Sequence, residues 1–176
     1  MLGSMDRCGQ CGYVYGSIAS GDIPDAVRSI GDQYRDAILD PQLEGLVRIR
    51  PAPDVWSALE YACHVRDVLL IQRDRAILAL VEDTPSYPRM YRDERVVLAG
   101  YQREDVAEVA AELTMAANLM AKLFEGLSTE QLARHCIYNY PEPSERDIVW
   151  LGHHALHEAT HHFDDLESSL GRVASP

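Results

Sequence analysis

The sequence is short of positive charge, of long apolar runs and of strand-like alternation. Its 176 residues carry 16 Lys and Arg against 28 Asp and Glu, a formal charge of −12. Nucleic-acid binding draws on Lys and Arg to neutralise phosphates, so this balance argues against a nucleic-acid partner and against an anionic membrane surface. The longest apolar run, Ala76 to Val81, has six residues, far below the roughly 20 that a membrane-spanning helix needs. No charged-then-apolar leader opens the chain, so a cytoplasmic location is the expectation. In that compartment the four cysteines are read as thiols or metal ligands rather than disulfides. Gly3-Ser4-Met5 reads as a remnant of cloning ahead of a start at Met5. There is no repeat and no low-complexity tract, and no stretch alternates convincingly enough for a strand.

What is present reads as helix. Hydrophobic residues make up 47% and charged residues 25%, the balance of a single globular domain able to bury a real core. Four segments carry helical periodicity. The first runs from about Asp22 to Leu39, with Pro24 in its first turn and a stripe of Val27, Ile30, Tyr34 and Ile38; Asp40-Pro41 ends it. The second opens at Ser57 with a Ser-x-x-Glu capping box and runs to about Val81. Residues 82–102, with Pro85 and Pro88, form a long irregular connection of the kind that is often functional. The third helix spans about Asp105 to Leu127, and residues 128–134 make one short extra helix. Tyr138 to Ser144, with two prolines, is expected to be loop. The fourth helix starts near Ser144 or Glu145 and stops at Gly171. The fold class is therefore all-α, a four-helix bundle over residues 22–176, preceded by an N-terminal tail, 1–21, with a Cys-x-x-Cys segment.

Five of the seven histidines fall between His153 and His162. On a helix, residues four apart are rotated by about 400°, so His157 and His161 lie roughly 40° apart on one face, shared with Trp150 and His154. His64 on the second helix shares a face with Tyr61, Val68 and Ile71. Facing helices of a bundle are a usual place to build a metal site. Three imidazoles with open positions describe a catalytic-type zinc site, or a nickel or iron site of the same form. The residues alone leave the opposite reading open, in which these histidines are hydrogen-bonded core residues or solvated. Glu158 and His162 have the same spacing of four and form the second-ranked ligand pair.

The stretch Trp56-Ser-Ala-Leu-Glu-Tyr-Ala-Cys-His64-Val-Arg-Asp67 resembles the start of the second helix in the DinB/YfiT-like superfamily. His157-Glu158-Ala159-Thr160-His161-His162 resembles that family's closing His-x-x-x-His helix. Cys8-Gly9-Gln10-Cys11-Gly12-Tyr13 resembles an actinobacterial branch with a Cys-x-x-Cys-Gly-aromatic start. The resemblance, from about Asp22 to Leu170, implies a four-helix bundle with a divalent metal on His64, His157 and His161, often as a homodimer. It also implies chemistry of the kind carried out by metal-dependent transferases and isomerases that use small thiols such as mycothiol or bacillithiol.

His157-Glu158-x-x-His161 also matches the HExxH motif of zinc peptidases. Phe163-Asp164-Asp165 follows where an extended motif would need Gly and His, and the chain offers no later helix for a distant glutamate ligand. Cys8 and Cys11 are half of a zinc knuckle, a possible structural zinc site that needs two more ligands. Cys63, Cys136 and His135 are the candidates for these, and an unliganded tail is the alternative. Glu60, Tyr61, Asp67, Glu158 and Asp165 lie one turn or less from a histidine ligand and are candidates to orient a ring or a bound water.

The expected activity is that of a divalent-metal-dependent S-transferase or isomerase in which a thiolate, formed on the ion, adds to a small electrophile. A non-catalytic metal- or ligand-binding bundle is the alternative.

Overall fold

The computed structural model describes residues 7–174, so the expected cloning remnant and the start at Met5 lie outside the described residues. Four long helices dominate: α1 (Ile23–Ile38), α2 (Ala58–Val81), α4 (Val106–Glu125) and α6 (Ile148–Ala174). Between them lie the short β1 (Ser86–Tyr87), α3 (Arg92–Arg95), α5 (Thr129–Leu132), β2 (His135–Asn139) and β3 (Pro143–Asp147).

Local chemistry sets most of the boundaries. Pro24 sits in the first turn of α1, where its missing N–H costs nothing. At the start of α2 both halves of the capping box form: Glu60 N–H donates to Ser57 Oγ (3.3 Å) and Ser57 N–H to Glu60 Oε2 (2.8 Å). Asp105 accepts from the amides of Ala107 and Glu108 at the start of α4, satisfying donors that have no partner within the helix. α6 begins at Ile148 rather than at Ser144 or Glu145, because those residues are spent in β3; Asp147 Oδ1 then accepts from Trp150 N–H at 2.7 Å. α6 also runs past Gly171 to Ala174.

Around the bundle the order is α1, α4, α2, α6, so that α1 and α2, consecutive in sequence, lie diagonally across the core. The link between them crosses one end of the bundle and is pinned where Leu59 N–H donates to Val47 O (2.9 Å). α1 and α4 pack closely at Gly31, where an added Cβ would fall 2.7 Å from that of Ala117. Tyr34, fully buried on α1, donates its hydroxyl to the carbonyl of Ala159 in the middle of α6 (2.8 Å).

The expected absence of strands is corrected. β2 and β3 form an antiparallel hairpin in which His135 pairs with Asp147 and Asn139 with Pro143, and β1 joins β2 in parallel. β2 does alternate, with Cys136 and Tyr138 inward, but over five residues that signal is too short to stand out. β3 reads Pro-Ser-Glu-Arg-Asp, with Pro143 its only apolar side chain, as an edge strand can. The loop expected at Tyr138–Ser144 is reduced to the turn of this hairpin. Among the described residues no helix is long and apolar enough to cross a membrane.

Candidate metal centre

Two turns into α2, His64 is 1% exposed and neither of its ring nitrogens has a hydrogen-bond partner. An imidazole buried that way forfeits roughly 1–3 kcal/mol unless something satisfies it. Across from it, α6 presents Glu158 and His162, one turn apart. One donor atom from each of His64, Glu158 and His162 lies within 4.8 Å of the other two. The rings of His64 and His162 meet edge to face with centroids 4.8 Å apart.

The surroundings prepare these three side chains to bind a cation. Burial, with help from His162, pushes the His64 imidazole down to about 3, so the ring is neutral near pH 7, with a lone pair to offer. Burial works to raise the Glu158 carboxyl, but His157, His154 and His162 outweigh it and hold the group well below the usual carboxylate range. Asp165 Oδ2 lies 2.9 Å from Nδ1 of His162. A proton held on that nitrogen leaves Nε2 free to ligate, the arrangement in which a carboxylate orients a metal-binding histidine. Tyr61 stacks on the outer face of His162, with ring centroids 5.6 Å apart. Two imidazoles and one carboxylate, with positions left open, suit a divalent ion at a catalytic-type site. The doubly unpartnered His64 is what such an ion would satisfy, so these residues fit it.

The three imidazoles of the expected triad do not come together. His64 closes with Glu158 and His162, whereas His157 and His161 group with Cys8 and Cys11. Each residue along a helix turns by about 100°, so the interleaved pairs 157/161 and 158/162 face different neighbours. The buried stripe of α6 passes through Leu151, Ala155, Ala159, His162 and Leu166. His162 therefore faces α2, while His157 and His161, one position earlier, look out toward the N-terminal segment. They do share a face with Trp150 and His154, whose rings stack 4.7 Å apart. Tyr13 and Tyr15 cover that face: Tyr13 Oη is 3.1 Å from His153 Nδ1, and Tyr15 Oη is 2.8 Å from His154 Nδ1 and 3.0 Å from His157 Nδ1. Two further sets of three, His154–His157–Glu158 and His161–His162–Asp165, share members with these two groups.

The other candidates divide in the same plain way. Glu158 is itself a member of the His64 group, Asp165 contacts Nδ1 of His162, and Tyr61 packs on His162. Glu60 is turned away into its capping box and an ion pair with Arg50. Asp67 accepts from Tyr101 Oη (2.7 Å) and from Arg66 and Arg95. Of the candidate partners for the cysteine knuckle, His135 pairs with Glu145 (2.8 Å) on the hairpin. Cys63 and Cys136 are fully buried elsewhere. Tyr13 is the aromatic residue of the Cys-x-x-Cys-Gly-aromatic start, whereas nothing in the sequence pattern marks Tyr15, two residues on.

Two cavities flank the His64 group. The smaller, about 180 Å³, is lined by His64, Glu158, Gln72 and Tyr138; the larger, about 560 Å³, by His162, Tyr61, Trp56 and Asp165. Arg92 and Asp93 of α3 border both. In the smaller cavity the Tyr138 hydroxyl accepts from Gln72 Nε2 and Arg75 Nη1, each at 3.0 Å.

A family model described as the DinB superfamily matches residues 33–166. Among solved structures the chain is similar to YfiT from Bacillus subtilis, described as a probable metal-dependent hydrolase with an unusual four-helix bundle topology. The two are 15% identical, with a TM-score of 0.76 over 90% of this chain and 91% of that one. Comparison with the curated proteins found no match. With the family model covering most of the chain, and with the same bundle recurring at low identity, this protein belongs to the DinB superfamily.

Proposed function

We propose that this protein is a divalent-metal-dependent enzyme, with His64, Glu158 and His162 as the metal ligands, that joins a small thiol of the mycothiol type to a small electrophile or uses that thiol to isomerise it. A bound zinc, nickel or iron ion would act as a Lewis acid, drawing a coordinated thiol or water toward its deprotonated form near neutral pH.

The observation that carries the two-substrate reading is the pair of unequal cavities on either side of the three donors. The larger has a volume usual for a small-molecule site, and the smaller falls below that range. On this reading the thiol occupies the outer cavity beside His162 and Tyr61, and the electrophile occupies the inner one. There His64 and Glu158 form one wall and the Tyr138 hydroxyl, held by Gln72 and Arg75, the other. Because that hydroxyl already accepts from both, its own proton is free to be donated to a substrate oxygen. Asp165 keeps His162 in its ligating tautomer. α3 stands at the mouth of both cavities through Arg92 and Asp93, which lie 3.8 Å apart.

A hydrolytic reading, with water in place of the thiol, is favoured by the description of YfiT alone. The two readings separate in one experiment. Cobalt-substituted protein is titrated with small thiols while its visible spectrum is followed, and turnover is then measured on electrophiles with and without thiol, using His64→Ala as control. A thiol-dependent spectral change and turnover lost in His64→Ala are the expected results. Turnover without thiol would establish the hydrolytic variant. No turnover and no thiol response would leave a binding bundle without this chemistry.

A further inference from the structure

The geometry points to a second metal site, distinct from the His64 group: a closed, four-ligand zinc site made by Cys8 and Cys11 of the N-terminal segment with His157 and His161 of α6. One donor atom from each of the four residues lies within 4.8 Å of the other three. A tetrahedral zinc with bonds of about 2.3 Å to sulfur and 2.0–2.1 Å to nitrogen needs its donors only about 3.3–3.8 Å apart, a small contraction of that cluster. The sequence spacing, Cys-x2-Cys and His-x3-His, is that of a structural Cys2His2 site.

The cysteine half is built as a knuckle. Cys8 N–H donates to Tyr13 O (2.9 Å), Gly12 N–H donates to Cys8 O (3.0 Å), and Arg7 bridges Val14 across the turn. Gly12 takes φ +77°, a left-handed conformation that glycine adopts without strain. The histidine half is prepared in the same way. His157 Nε2 and His161 Nδ1 are buried with no well-aligned hydrogen-bond partner among the described residues, and the Cys8 thiol lies beside His157. Their other nitrogens face polar groups: His157 Nδ1 lies 3.0 Å from Tyr15 Oη and 3.4 Å from Glu158 Oε1, and His161 Nε2 lies 3.7 Å from Asp165 Oδ2. A phenol has one proton, so between His154 Nδ1 and His157 Nδ1 it donates to one and accepts from the other. With zinc on Nε2, His157 is the donor to Tyr15, and Tyr15 donates to His154. The three groups are then linked by two hydrogen bonds of defined direction.

Such a site has no open position and is structural. It straps the chain's first described residues over α6 and fixes Tyr13 and Tyr15 above His153, His154 and His157. It also occupies the 157/161 pair, so that only 158/162 is available to His64.

The test uses the full chain loaded with zinc under reducing conditions, with metal content measured by elemental analysis and the ligands identified by X-ray absorption. Wild-type protein should bind two ions per chain. His64→Ala should keep one, with two sulfur neighbours near 2.3 Å and two nitrogen neighbours near 2.0–2.1 Å. Cys8→Ser/Cys11→Ser should lose one ion and, with cobalt, lose the near-ultraviolet sulfur-to-metal absorption that His64→Ala retains. Absence of sulfur from the zinc shell of His64→Ala, or undiminished metal content in the double cysteine variant, would overturn the proposal. Because the spectra of His64→Ala report this site without the other, failure of the bundle-core site cannot be mistaken for failure of the knuckle. Should the cysteine variant fold poorly, the absorption spectrum of His64→Ala alone still decides the matter.

Discussion

His162 and Asp165, three residues apart on α6, are held at 2.9 Å through Nδ1 of the imidazole, and this single contact turns the far nitrogen of His162 toward Glu158 and His64. The carboxylate gains as well, since the contact to His162 holds Asp165 below its ordinary range against the effect of burial.

Replacing Asp165 by Asn should therefore weaken metal binding at the His64 group by roughly 10- to 100-fold, the usual cost of losing an outer-shell carboxylate. Asp165 also stands 3.7 Å from His161, so the measurement belongs in a Cys8→Ser/Cys11→Ser background, by competition with a chromophoric chelator. An unchanged affinity would remove Asp165 from this role.

Glu60 offers a pH-dependent prediction away from both histidine groups. Burial opposes its charge, but bonds from Arg50, the Ser57 amide and Gln102 outweigh it and keep the carboxyl below its ordinary value. Because the folded-state value is the lower one, this stabilisation is complete above the unfolded carboxyl value of about 4.3. It is lost as pH falls through the native value. Glu60→Gln should cost about 1.5–3 kcal/mol at neutral pH and flatten the acid limb of stability, as read by urea unfolding from pH 7 down to pH 3.

Gly31 and Gly171 should respond in opposite directions to alanine. Each substitution gains up to about 1 kcal/mol in helix propensity. At Gly31 the new methyl would meet the Ala117 methyl at 2.7 Å, whereas at Gly171 it meets nothing within 4 Å among the described residues. Overpacking costs typically 1–3 kcal/mol, so Gly31→Ala should lower the melting temperature and Gly171→Ala raise it slightly.

Tyr138→Phe removes an acceptor shared by Gln72 and Arg75, both buried. The loss should be about 1–3 kcal/mol in stability. Under the proposed chemistry, kcat should also fall while the cobalt spectrum of the metal site stays unchanged. A variant with full activity would leave Tyr138 a purely structural residue.

Much of this arrangement is legible in the sequence because it rests on local rules. The capping box Ser57–Glu60, Pro24 in the first turn of α1 and the stripe Val27–Ile30–Tyr34–Ile38 each fix their element within a few residues. The hairpin is not legible, since β2 is five residues long and β3 holds no apolar side chain but that of Pro143. The donor set is half legible. His64 and the last helix stand out by residue type, but spacing alone is the same for 157/161 and 158/162. The choice between them depends on how α6 is rolled about its axis, which is set by the buried stripe Leu151–Ala155–Ala159–His162–Leu166. That stripe is present in the sequence, and it is the signal that would have favoured the second pair. The closeness of Cys8 and Cys11 to the outer pair is a fact of tertiary packing, with roughly 150 intervening residues, and no short-range rule reports it.

The bond from Tyr34 to the Ala159 carbonyl gives α1 a say in chemistry it never touches. It grips α6 between its two interleaved donor pairs, so it works as an index pin for that helix. Without that phenol the helix would lose this constraint on its roll, and the aim of Glu158 and of His161 would change together. Fidelity of ligand placement in this bundle is thus set from the flank opposite the N-terminal segment, by a side chain that carries no charge and contacts no ligand.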